Sequence, residues 1–224
     1  VALHMRCIAH RGFAGLYPEN TLTAVRQAGQ QADMIEVDVR QCRSGDPVVI
    51  HDETVDRVTD ETGPVADISL ATLQSMDVLG TGEGVPSLEA VLRAMPEGVG
   101  LNIDLKEREL VESVVELTSE YDTDILLSAR DIDALAAARQ ADPDVDRALL
   151  VDSSSEAGIE RAASLDCTAI HPHWRLVDFA LLERAHRSEL DVNVWTVSDP
   201  EKAREYDKMG VDGIIAEEPA ACLD

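Results

Sequence analysis

Lysine is almost missing from this chain. Among its 224 residues only Lys106, Lys202 and Lys208 are lysines; 19 basic residues face 44 acidic ones, and the net charge is -25. A surface of that sign repels nucleic acid and anionic bilayers, so neither is an expected partner. No apolar run approaches the roughly 20 residues of a membrane-spanning helix. No secretory hydrophobic region is found near the start, so stable membrane insertion is excluded and the cytoplasm is the expected compartment. The four cysteines, Cys7, Cys42, Cys167 and Cys222, have no paired spacing. That pattern excludes a cysteine zinc site and predicts no disulfide, with Cys7 and Cys167 acting as small buried hydrophobes. Internal repeats, low-complexity linkers and a glycine-rich dinucleotide fingerprint after the first strand are also absent.

What is present is an alternation of strand-like and helix-like segments. Arg6–His10 precedes an amphipathic Thr21–Gln31, and Met34–Arg40 follows. Gly100–Lys106, Ile125–Ser128, Arg147–Val151, Cys167–His171 and Val192–Val197 each lead into a helical pattern, and Gly213–Ala216 ends the series. About eight strands in a chain of this length predict a (β/α)₈ TIM barrel, with a doubly wound open sheet as the alternative. One single domain over 5–224 is expected, with 41–98 including a small insertion after the second strand; Val1 to His4, ahead of Met5, are read as a cloning remnant. Within that segment Pro47–His51 forms a hairpin with Met34–Arg40, and Arg40 is expected to face Pro47, which sets Glu36 opposite His51. Ser69 and Ser87 are expected to cap two short helices. The acidic, lysine-poor composition resembles that of halophilic proteins, whose carboxylate repulsion is screened where the Debye length is about 3 Å at 1 M salt.

The chemistry gathers at strand ends. The first strand delivers His10 and Arg11, a proton carrier beside a planar anion clamp, and Gly12 lets the backbone turn. Residues two apart on a strand share a face, so Glu36 and Asp38 point one way, as do Asp104 and Lys106. Three carboxylates crowded at a barrel mouth repel one another unless protons or a cation intervene, and hard oxygen ligands suit Mg²⁺ or Ca²⁺. The residues alone leave other readings open. Glu19 and Asn20 serve equally as turn and cap residues, Trp195 as a core residue, and His171 as a lining residue of the mouth, while His186 reads as structural.

In their order, His10-Arg11-Gly12, Pro18-Glu19-Asn20-Thr21, Glu36-x-Asp38 and His51-Asp52 strongly resemble the glycerophosphodiester phosphodiesterase family, over nearly the whole chain to Trp195 and Gly213-Ile214-Ile215. The resemblance implies acid–base roles for His10 and His51 and phosphate contact by Arg11 and Lys106. It further implies ligation of one divalent cation by Glu36, Asp38 and Asp104, and a glycerol pocket bordered by Trp195. It implies a small-molecule glycerophosphodiester substrate, cleaved to sn-glycerol 3-phosphate and an alcohol. A lysophospholipase-D-type phosphodiesterase and a catalytically silent barrel that binds phosphorylated ligands are the alternatives. The family more often has Glu at Asp104 and Thr-Asp at Ala216-Glu217, the latter with no catalytic consequence evident from sequence. The sequence leaves the oligomeric state open.

Overall fold

The computed structural model describes residues 5–222. The reading of Val1 to His4 therefore lies outside the described residues. Eight parallel strands close on themselves: β1 (Arg6–Ala9), β2 (Met34–Gln41), β4 (Gly100–Leu105), β5 (Ile125–Ala129), β6 (Asp146–Val151), β7 (Ala169–Pro172), β8 (Asp191–Val197) and β9 (Gly213–Ala216). The sheet runs β1-β9-β8-β7-β6-β5-β4-β2, and β1 pairs again with β2 to seal the barrel. A short β3 (Pro47–Val49) runs antiparallel to the end of β2. The (β/α)₈ expectation is the observed fold, and the open sheet is excluded by the β1–β2 pairing.

Helices α1 (Leu22–Ala28), α4 (Val111–Thr118), α5 (Ile132–Ala141), α6 (Ser155–Ser164), α7 (Phe179–Arg187) and α8 (Pro200–Met209) wrap the barrel; α2 (Leu70–Ser75) and α3 (Leu88–Ala94) lie between β3 and β4. Thr21, Ser69 and Ser87 cap α1, α2 and α3, each hydroxyl accepting a backbone N–H three residues on. The main apolar core lies between strands and helices, including Ile35, Val37, Ile103, Leu127 and Ile170. A smaller cluster of Ile8, Met34, Leu126, Ala148, Ala169 and Ile215 is separate from it. A third cluster, with Val48, Ile50, Val55, Val58, Leu73 and Val85, belongs to the segment after β2.

Two expectations need correction. The hairpin register is one residue off: Arg40 faces Val48 and Gln41 faces Pro47. The cause is the turn. Cys42 N–H donates to the Asp46 carbonyl across a three-residue loop, with Gly45 at φ +90°. A three-residue loop with a left-handed third position shifts the register that a tighter turn would set. The second correction concerns cysteine. Cys7 on β1 is joined to Cys222, in the turn after β9, by a disulfide, with Cα atoms 5.4 Å apart. Separated by 215 residues, the pair shows no spacing signal, and only barrel closure brings it together. Cys42 and Cys167 are free and buried, and burial pushes the Cys167 thiol up to about 11.

Candidate active site

Parallel register stacks the functional residues at the carboxyl ends of the strands. Asp38 pairs with Asp104 and Glu36 with Asn102 on the neighbouring β4. Alternation along β2 and β4 turns all four toward one cleft. The lining of the cleft includes His10, Arg11, His51, Lys106, Arg130 and Trp195 beside the carboxylates.

The turn after β1 is strained to present its residues. Arg11 has φ +50°, Phe13 +63° and Asn20 +58°, all left-handed, a conformation that costs of order 1 kcal/mol or more at a non-glycine residue. Gly12 must be glycine: at φ +76° a Cβ would lie 2.7 Å from Ala24 Cβ. The strain is held by contacts. Arg11 N–H donates to Glu36 Oε2 at 2.9 Å, and its side chain donates to Glu19 Oε1 at 3.0 Å. Arg11 Nε also lies 3.0 Å from Asp38 Oδ2, an ion pair rather than an aligned hydrogen bond. Asn20 is buried, and its amide donates to Asp38 Oδ2 at 2.9 Å. Glu19 and Asn20 are thus braces of the site, beyond any turn role, while Thr21 caps the helix.

Glu36, Asp38 and Asp104 are all buried, and each offers an oxygen within 4.8 Å of the others. Burial first, and the Asp38 charge next, push the Glu36 carboxyl up to about 7. Burial likewise raises Asp104. Asp38 goes the other way: burial opposes ionisation, but Lys106 and Arg11 hold it well below the usual carboxylate range. Lys106 Nζ bridges Asp38 Oδ1 at 2.7 Å and Asp104. With all three ionised, the carboxylates outnumber Arg11 and Lys106, and Arg11 is shared with Glu19. Buried hard oxygens in excess of their cations fit a divalent ion.

Each candidate histidine has a carboxylate on Nδ1. His51 Nδ1 lies 2.6 Å from Asp52 Oδ1, and His10 Nδ1 lies 2.7 Å from Glu217 Oε1. Such a partner fixes the ring and leaves Nε2 for the reacting group. Glu217, which the sequence reading named without giving it a role, is the partner of His10 at the mouth. Its place directly after the last strand was the available signal, because every barrel strand ends at the same mouth. Burial alone would lower the His10 pKa, but the Glu217 hydrogen bond and the Glu36 charge outweigh it and raise it. Raised in the folded state, His10 adds stability that is fully present below its unfolded value and is lost as pH rises through its folded value. Replacing Glu217 with Gln is therefore expected to move the His10 limb of the pH–rate profile to lower pH. The stability gap between wild type and Glu217→Gln should be wider in mild acid than in base. Unchanged limbs, or a gap that widens in base, would contradict the pairing.

Trp195 is half-buried: it lines the cleft wall and also packs against the small cluster that includes Ile8 and Ile215. Its Nε1 donates to the His171 carbonyl at 2.7 Å, and the Arg130 guanidinium lies 4.8 Å from its ring centroid. His171 is fully buried on the cleft lining, where burial pushes it down to about 3, so it stays neutral. His186 lies on α7, outside the cleft, 2.8 Å from Asp212. Its structural reading stands.

A closed parallel barrel with this mouth defines the class of a (β/α)₈-barrel phosphodiester hydrolase. The chain belongs to the glycerophosphoryl diester phosphodiesterase family, whose sequence profile matches residues 10–221. It is 30% identical to a glycerophosphodiester phosphodiesterase of Caldanaerobacter subterraneus, over 97% of this chain and 96% of that protein. In structure it is similar to an Oleispira antarctica phosphodiesterase in complex with the product sn-glycerol-3-phosphate. That likeness has a TM-score of 0.91 and 30% identity, covering 96% of this chain and 94% of the other. It is also similar to the glycerophosphodiester phosphodiesterase of Thermotoga maritima, with a TM-score of 0.85, 26% identity, and coverage of 97% and 96%.

Proposed function

We propose that this protein hydrolyses glycerophosphodiesters to sn-glycerol 3-phosphate and an alcohol, assisted by one divalent cation, Mg²⁺ or Ca²⁺. The observation that carries the reading is the cleft itself: two carboxylate-backed histidines stand at one mouth with a phosphate clamp and an acidic triad. Arg11 and Lys106 would hold the phosphate oxygens, and the two histidines would activate the attacking oxygen and protonate the departing one. Glu36, Asp38 and Asp104 would hold the cation, which when bound supplies Lewis-acid neutralisation of phosphate charge. Trp195 would form the wall against which glycerol lies. The whole of 5–224 is proposed as one catalytic domain, with the insertion inside 41–98.

Release of sn-glycerol 3-phosphate from glycerophosphocholine, with and without chelator, tests the reading. No release under any metal condition would end it. Asp104 separates ligand from brace. If it ligates, Asp104→Ala should weaken cation binding and remove most activity, while Asp104→Glu should retain both. Wild type with cation at about 100 times its dissociation constant should gain roughly 2.7 kcal/mol of stability. Equal calorimetric affinities in wild type and Asp104→Ala would rule out direct ligation.

Two finer readings concern surroundings. We propose a high-salt medium, from the -25 charge and the scarcity of lysine. Thermal midpoints should then rise from dilute buffer to molar KCl, and a flat series would remove the halophilic reading. Among the described residues no helix is long and apolar enough to cross a membrane. The Cys7–Cys222 bond weighs against the cytoplasm, because reducing compartments rarely keep disulfides outside hyperthermophiles.

A further inference from the structure

Arg57 belongs to the segment between β3 and β4 and carries no role in the sequence reading. Its guanidinium reaches two carboxylates on different loops. Both terminal nitrogens donate to Glu19, at 2.7 and 2.8 Å. Nε and one terminal nitrogen donate to Asp52, at 2.6 and 3.2 Å. Glu19 lies after β1 and also accepts from Arg11; Asp52 lies after β3 and is bonded to His51 Nδ1. A continuous run of charged contacts therefore joins His51, Asp52, Arg57, Glu19, Arg11 and Asp38.

The apolar packing explains why this run matters. The stretch around Arg57 packs on its own cluster, with Val55 and Val58, while Leu88, Val91 and Leu92 of α3 join the main core. The stretch around Arg57 is tied to the loop after β1 by polar side-chain contacts, and Thr23 with Glu83 is another tie between the segment and the first helix. Arg40 Nε holds the His51 carbonyl at 2.7 Å, which fixes the backbone but not the ring. Ring orientation is left to Asp52, and Asp52 is aimed by Arg57. A planar fork can meet two carboxylates with paired N–H groups on each; an ammonium can bridge two carboxylates, as Lys106 does, but only as a point charge.

We propose that Arg57 is a positioning residue that fixes the ring and tautomer of His51 through Asp52, and keeps it in register with Arg11 through Glu19. The inference rests on the acid–base role proposed for His51. Arg57 touches no reacting atom in this account. Ionised by the Arg57 hydrogen bonds, which with His51 pull it down to about 2, Asp52 accepts from Nδ1–H across the neutral range. Nε2 is then left free toward the substrate.

The test is a double-mutant cycle on the metal-loaded full chain with glycerophosphocholine, using Arg57→Ala, Asp52→Asn, their combination, Arg57→Lys, and His51→Ala as reference. Arg57→Ala should lower kcat about tenfold to hundredfold, as loss of a supporting partner usually does. KM should move much less. Arg57→Lys should recover only part of the loss. The double variant should be no worse than the poorer single, since both act through one ring. Imidazole ¹⁵N spectra should show His51 protonated at Nδ1 in wild type and mixed tautomers in Arg57→Ala, a signature that mere destabilisation does not produce. If Arg57→Ala fails to fold, Arg57→Lys takes its place in the cycle. Near-wild-type kcat, or effects of Arg57 and Asp52 that simply multiply, would overturn the inference while a strong His51→Ala defect left the proposed function standing. Wild-type turnover in His51→Ala would overturn both.

Discussion

His10→Ala and His51→Ala are each expected to lower turnover by about 10² to 10⁴-fold, the usual contribution of general acid–base catalysis. The fold should survive. His10 sits in the turn after β1 and His51 in the bend after β3, both at the cleft and neither part of an apolar cluster. Each ring is oriented by one carboxylate, so each substitution removes a proton carrier and leaves Glu217 or Asp52 without its ring partner. Melts and circular dichroism must match wild type before the rates are compared. A folded variant that keeps near-normal turnover would remove its histidine from the mechanism, whatever the other shows.

Loss of the Cys7–Cys222 bond should produce the largest change in stability. It closes a loop of 215 residues, and in the chain-entropy account such a cross-link is worth about 5 kcal/mol, with native disulfides generally worth 2–5. For a chain of this length that corresponds to a fall in Tm of roughly 5 to 20 °C. Cys7 precedes His10 by three residues on the same run of chain, and Cys222 follows the strand that ends just before Glu217. The bond therefore ties together the two ends of the barrel that form the His10–Glu217 pair. Cys7→Ser should melt lower than wild type and be indifferent to dithiothreitol, whereas wild type should fall to the same midpoint on reduction. Equal midpoints in oxidised and reduced wild type would show that the bond contributes nothing.

The hairpin shows what a single turn residue decides. Composition correctly placed a turn around Arg43 to Asp46, yet the register came out one residue off because Gly45 adopts a left-handed conformation. The choice between a two- and a three-residue loop involves an energy difference too small for residue types to declare. Glu217 is a second instance. Its neighbour in the site is 207 residues away, so no local pattern connects it to His10. Arg57 is a third, because its two partners lie 5 and 38 residues off and only one is local.

By itself the sequence determined what depends on near neighbours. Two-residue periodicity put Glu36 with Asp38 and Asp104 with Lys106, the run of strand ends placed them at one mouth, and Ser69 and Ser87 marked their helices. The alternation of strand and helix was enough for the barrel, since a parallel sheet of this size has few ways to bury both faces. Tertiary structure alone decided the rest: which carboxylate backs His10, that Cys7 meets Cys222, and that Arg57 bridges the insertion to the first loop. These contacts form only when the first and last strands pair and the insertion settles on the rim, and contacts made by closure leave no periodic trace in the chain.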